Sequence, residues 1–78
     1  KYAPTVNALK TKLKEIQSNK ISILKKKSPN LNEESASEIS DHLIQKITNQ
    51  IANHLKESKE LENELKSVRT IFQLDSNE

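Results

Sequence analysis

Apolar side chains recur at spacings of three and four residues in three successive stretches, and not one glycine interrupts them. Val6, Leu9, Leu13 and Ile16 form the first stripe. Ile39, Leu43, Ile47 and Ile51 form the second, and Leu61, Leu65, Val68 and Phe72 the third. At 3.6 residues per turn this spacing puts each set on one face of an α-helix. A chain of 78 residues with no glycine also has few means of making tight hairpins. The pattern therefore predicts an all-α fold, a three-helix antiparallel bundle, and excludes an all-β one.

The punctuation between the stripes sets the expected bounds. Pro4 suits a first helical turn, Lys25, Lys26 and Lys27 suit the negative end of a helix dipole, and Pro29 closes the segment, which predicts a first helix over 4–27. Asn32 is a good N-cap, and Glu33 and Glu34 place negative charge in the turn that follows. The second helix is expected over 33–57, with Ala36 and Leu55 extending its apolar stripe and Ile44 widening it, so that most of its length would be buried. Ser58 is the candidate cap for a third helix over 59–73. Leu74 is expected to pack back on the bundle, and the polar ending Asp75–Glu78 to fray.

Composition removes several classes of function. Without cysteine there is no disulfide, no thiolate nucleophile and no Cys-based metal site, and without glycine there is no glycine-rich phosphate loop. No apolar run approaches the roughly 20 residues that span a bilayer, so a membrane location is not expected and a cytoplasmic one is. Thirteen Lys and Arg interspersed with eleven Asp and Glu leave a net charge of +2, the pattern of solvated helix faces. The chain opens on Lys1-Tyr2-Ala3-Pro4 with no initiating methionine, so it is expected to be a segment of a longer polypeptide.

Residues able to carry chemistry are few. His42 and His54 lie twelve positions apart, about 120° around a helix, and cannot jointly hold a metal; no metal is expected. Glu33, Glu34, Glu38 and Asp41 are carboxylates of an exposed helix start, with no sign of a pocket that would split their pKa values. Ser35, Ser37, Ser40 and Ser58 lack the flanking glycines of a nucleophile elbow. The lysine cluster Lys25–Lys27 could touch a phosphate backbone, but no aromatic interleaves it for base stacking, and helix-end charge is the simpler reading.

The stripes themselves are the informative feature. In a chain this short a single core is only marginally stabilising, and one-sided apolar helices bury more by meeting a symmetric copy. Part of each stripe is therefore expected to cross a homodimer axis, giving a six-helix assembly from two chains. The alternatives are a free-standing helical adaptor or coiled-coil segment that binds another protein's amphipathic helix, and an RNA-binding module that uses the lysine cluster.

Three blocks carry a resemblance to a known family. They are Pro4-Thr5-Val6-Asn7-Ala8-Leu9-Lys10 with Leu13-Lys14-Glu15-Ile16-Gln17, then Lys46-Ile47-Thr48-Asn49-Gln50-Ile51, then Leu65 through Asp75 with its Ile71-Phe72 pair. In this order and spacing the chain resembles the C-terminal dimerisation domain of glutamyl-tRNA reductase over nearly its whole length. One departure is the absence of the proline that many relatives carry shortly after the Asn-Gln pair. The resemblance implies a V-shaped homodimeric parent enzyme that uses NADPH to reduce glutamyl-tRNA to glutamate-1-semialdehyde, on a route to tetrapyrroles such as haem. It also implies that the catalytic cysteine, the Rossmann-type NADPH domain and the tRNA-binding surfaces lie in domains absent here. No catalytic residue and no cofactor are expected within these 78 residues.

Overall fold

The computed structural model describes residues 2–74, which form three α-helices: α1 over Ala3–Lys27, α2 over Glu33–Lys56 and α3 over Leu61–Ile71. Among the described residues there is no strand. Pro4 falls in the first turn of α1, where its missing N–H costs no helical hydrogen bond, and Lys25, Lys26 and Lys27 occupy the last turn.

The connection from α1 to α2 is tied at several points. The Ser28 N–H donates to Leu24 O at 2.8 Å, and the Leu31 N–H donates to Ser28 O at 2.9 Å. Lys25 Nζ donates to Leu31 O at 2.9 Å and lies 4.0 Å from Glu33 Oε2, so one member of the lysine trio is committed to holding this loop. Asn32 caps α2 as expected, its Oδ1 accepting from the Ser35 N–H at 3.0 Å.

The second connection differs from expectation. Ser58 does not cap α3; its Oγ accepts from the Glu60 N–H at 3.0 Å and stabilises the turn ahead of the helix. Glu60 occupies the N-cap position without a side-chain capping bond, and Leu61 is the first helical residue. The hydroxyl serves the turn instead of a cap, and the helix begins two residues later than 59. No proline ends α2; its last turn closes with the Ser58 N–H donating to Leu55 O at 3.2 Å.

The end of α3 turns sharply. The Leu74 N–H donates to Arg69 O at 2.9 Å and the Gln73 N–H to Thr70 O at 3.3 Å, the paired bonds of a Schellman motif. Gln73 takes the left-handed conformation, φ 54°, that this motif requires and that glycine usually supplies. The turn delivers Leu74 into the core.

α1 and α2 form an antiparallel hairpin. Lys10 meets Gln45, Lys14 meets Asp41 and Gln17 meets Ser37, so the numbering falls along one helix as it rises along the other. At 1.5 Å per residue α1 and α2 are each about 36 Å long, whereas α3 is about 16 Å. Starting beside the end of α2, α3 covers less than half of the hairpin, and Gln73 and Leu74 finish near Ala8 and Lys12 of α1.

The core lies entirely in this covered half. Leu9 and Leu55 are 0 % and 1 % exposed, and Ile44, Leu65 and Leu74 join them, together with the buried hydroxyl residues Thr5 and Thr48. The Thr48 hydroxyl donates to Gln45 O at 3.1 Å, which removes the penalty for burying it. The result is a rod of 47 × 23 × 15 Å with a radius of gyration of 14.7 Å. A compact chain of this length would have a radius of about 11.5 Å.

A left-handed conformation costs a residue with a β-carbon about 1–2 kcal/mol, offset in part by the greater chain entropy that glycine loses on folding. Gln73→Gly is therefore expected to stabilise the fold by about 0.5–1 kcal/mol. Urea unfolding followed by circular dichroism measures it, and an unchanged or lower midpoint would count against the strain assigned to this turn.

Candidate functional site

The half of the hairpin that α3 does not reach carries the candidate site. Ile16, Ile23 and Leu24 of α1 and Ile39 of α2 are exposed there; Leu43 and Ile47 continue the exposed face of α2 back alongside the core, and Ile71 is exposed at the end of α3. The cause on α2 is rotational. Its buried residues Ile44, Thr48 and Leu55 fall within about 40° of arc, while Ile47, Leu43 and Ile39 lie about 80°, 120° and 160° around from the middle of that arc. An apolar surface spread over half the circumference of a helix cannot be covered by one neighbour, and Leu43 and Ile39 remain 58 % and 65 % exposed. On α1 the cause is axial. Ile16 and Ile23 share a face with Leu9, but they lie beyond the end of α3.

The twelve stripe residues thus divide into three groups. Leu9 and Leu65 are sealed within the subunit; Val6, Leu13, Ile51, Leu61, Val68 and Phe72 are half-buried at its margins; Ile16, Ile39, Leu43 and Ile47 are bare. The second helix is therefore not buried along most of its length by its own chain. Ile23 and Leu24, with which the first stripe resumes after Lys20, and Ile71, beside the third stripe, are exposed as well. Thr5 and Thr48 were missed as core residues because a threonine on an apolar face carries no hydropathy signal.

The other edge of the hairpin is polar. Gln17 Nε2 lies 2.6 Å from Ser40 Oγ, 2.9 Å from Asp41 Oδ1 and 3.2 Å from Ser37 O, and Lys14 Nζ donates to Asp41 Oδ1 at 2.8 Å. Further down, Lys10 Nζ donates to Gln45 Oε1 at 3.2 Å, and Gln45 Nε2 donates to Asn49 Oδ1 at 2.9 Å. Lys14 and Asp41 are each about half-exposed, so their pair fixes the register of α1 on α2 more than it adds stability. The Lys14 ammonium, and after it the Gln17 amide, hold the Asp41 carboxyl below its ordinary value of 3.8.

The remaining candidates gather no chemistry. His54 Nε2 lies 2.9 Å from Glu64 Oε1, an exposed link between α2 and α3, and His42 stands exposed on α2. Among the described residues no three His, Asp or Glu side chains come together as a metal-binding group, and no helix is long and apolar enough to cross a membrane.

A helical unit whose polar groups serve its own hairpin, and whose apolar surface is left uncovered, is an association module. The chain belongs to the family described as glutamyl-tRNAGlu reductase, dimerisation domain, whose model matches residues 1–74. It is 47 % identical over 75 residues to a glutamyl-tRNA reductase of Flavobacterium psychrophilum, covering 95 % of this chain and 18 % of that protein. It is 41 % identical over 76 residues to a glutamyl-tRNA reductase of Christiangramia forsetii, covering 96 % and 18 %. With the protein named glutamyl-tRNA reductase 2 of Flavobacterium johnsoniae it shares 39 % identity over 75 residues, covering 95 % and 17 %. The chain spans less than a fifth of the length of these curated relatives. No solved structure matches it.

The Asp41 contacts have a pH signature. A carboxyl whose pKa is lower in the folded state binds its proton less tightly there than when unfolded, so its stabilising contribution is present above 3.8 and is lost as the pH falls through the depressed folded value. Thermal melts between pH 5.5 and 3 should therefore show a steeper loss of stability in the parent chain than in Asp41→Asn. Parallel pH profiles would remove the linkage.

Proposed function

We propose that this chain is the dimerisation segment of a glutamyl-tRNA reductase, and that it joins two copies of the parent enzyme by burying the bare half of its α1–α2 hairpin. The observation that carries the reading is the uncovered apolar surface of Ile16, Ile39, Leu43 and Ile47 in a chain whose family model is described as a dimerisation domain. Burying apolar area contributes about 25 cal/mol per Å², and a second copy presents the same bare surface to satisfy.

In this reading the chemistry belongs to polypeptide outside these residues. The parent would reduce glutamyl-tRNA with NADPH, supplying a tetrapyrrole route in the cytoplasm. The NADPH site would lie in that polypeptide too, since this chain has no glycine for the phosphate-binding turn of a dinucleotide fold. The rod-like hairpin would set the spacing and relative orientation of two catalytic arms, as a rigid element does better than a loop.

Sedimentation equilibrium at micromolar concentration tests the assembly. The expected mass is twice the 8.9 kDa of one chain. Leu43→Asp should shift it to the single-chain mass with helical circular dichroism retained, because Leu43 lies outside the subunit core and a carboxylate in a packed apolar seam costs several kcal/mol. A parent chain that sediments at 8.9 kDa would overturn the reading.

A further inference from the structure

The three helices end in different ways. α1 stops at Ser28, whose ψ of 86° leaves the helix, with Pro29 behind it, and α3 stops ahead of the left-handed Gln73. Nothing comparable ends α2. Residues 57–60 are Glu-Ser-Lys-Glu, without proline or glycine, and among the described residues Gln73 alone has a positive φ. Glu57, at φ −105° and ψ 7°, lies in the bridge region beside the helical one. The last turn closes with two long bonds that each span three residues, Glu57 N–H to His54 O at 3.3 Å and Ser58 N–H to Leu55 O at 3.2 Å.

With no local stop, the break is held by tertiary contact. Leu65 of α3 and Leu74 just past it are sealed against the hairpin. Among the described residues the one side-chain hydrogen bond from α3 to the hairpin is the exposed link of His54 Nε2 and Glu64 Oε1, 2.9 Å long. Once that face lets go, continuing the helix through 57–60 gives the carbonyls of α2's last turn regular partners. The step elongates an existing helix and needs no new nucleus.

We propose that α3 is a hinged strap, which swings out about residues 57–60 so that α2 runs on through it as one helix. The closed form dominates because it buries Leu65 and Leu74. The open form takes the cover from Leu9, 0 % exposed, and joins it to Ile16 and Ile23, 44 % and 48 % exposed on the same face of α1. α3 thus sets how far the bare face of the hairpin extends. The device belongs to the single chain and does not depend on the proposed dimer.

Hydrogen exchange of the unaltered chain gives the first test. The amides of residues 65–71 should exchange together, roughly tenfold faster or more than those around Ile44 and Thr48. Equal protection in the two regions would mean that α3 leaves only when the whole chain unfolds, and would overturn the hinge.

Distances separate swinging from melting. Lys10 meets Gln45 across the hairpin, so Thr11 lies level with Ile44, and Thr70 would stand about 40 Å away along a straight α2. In the closed form Thr11 and Gln73 line one cleft, and Thr70 is one turn from Gln73. The chain has no cysteine, so Thr11→Cys with Thr70→Cys accepts a pair of spin labels, and dilution into excess unlabelled chain leaves only distances within one molecule. A short distance should dominate. Leu65→Ala, or the milder Val68→Ala, should raise the long-distance population roughly fivefold or more. Lys59→Pro in the same background should abolish it, because a proline there clashes with the Leu55 carbonyl of a continuous helix. The closed form tolerates that proline, since among the described residues the Lys59 N–H donates no hydrogen bond. A distribution that only broadens in Leu65→Ala and Val68→Ala, or a long-distance population that survives Lys59→Pro, would overturn the proposal.

Discussion

The core of this molecule is bounded by a mismatch of length: a hairpin of two helices about 36 Å long is roofed by a third of about 16 Å. A three-helix bundle closes its core only where all three helices run side by side. Leu9, Ile44, Leu55, Leu65 and Leu74 lie within that stretch and are sealed. Ile16 and Ile23 continue the same face of α1 past the point where the roof ends, so they lie bare although nothing in their chemistry differs from that of Leu9. The α1 part of the surface is thus a consequence of topology, set by where the Schellman turn at Gln73 ends α3, whereas the α2 part follows from rotation about its own axis.

The two edges of the hairpin divide the tasks of register and association. On one edge Lys14, Gln17, Asp41 and Ser40 lock α1 against α2 through directional bonds that stay in contact with water. Moving those groups into an interface would strip their hydration, with little net return unless every partner remained satisfied. On the other edge α2 offers aliphatic side chains whose transfer from water is favourable and asks only for shape.

The helices were legible because local signals and tertiary structure agree. Asn32 followed by Glu33 and Glu34 marks a start that the structure uses without change, and the lysine trio ends α1. The start of α3 was misread because a serine serves a turn as readily as a cap, and only the geometry of residues 57–60 shows that the Ser58 hydroxyl is spent on Glu60. The division of the stripes into core and surface was not legible at all. Ile39 and Ile44 are the same residue on the same helix, five positions apart, and the buried one is selected by which neighbour lies over its arc. Likewise, the left-handed conformation of Gln73 follows no local preference and belongs to the turn that brings Leu74 into the core.

A subunit with so small a core is poorly suited to hold its distal half by itself. The tip of the hairpin is secured by a few exposed polar contacts and the Lys25 tie to the Leu31 carbonyl, interactions that each contribute little in water. Covering Ile16, Ile39 and Leu43 with a second copy would add apolar burial where the single chain lacks it. Folding of the tip and association would then be linked, because anything that binds only the folded state raises its stability by mass action. In that arrangement the short third helix is a functional compromise: a longer one would make a sturdier monomer by covering Ile16 and Ile23, part of the surface that the proposed dimer needs.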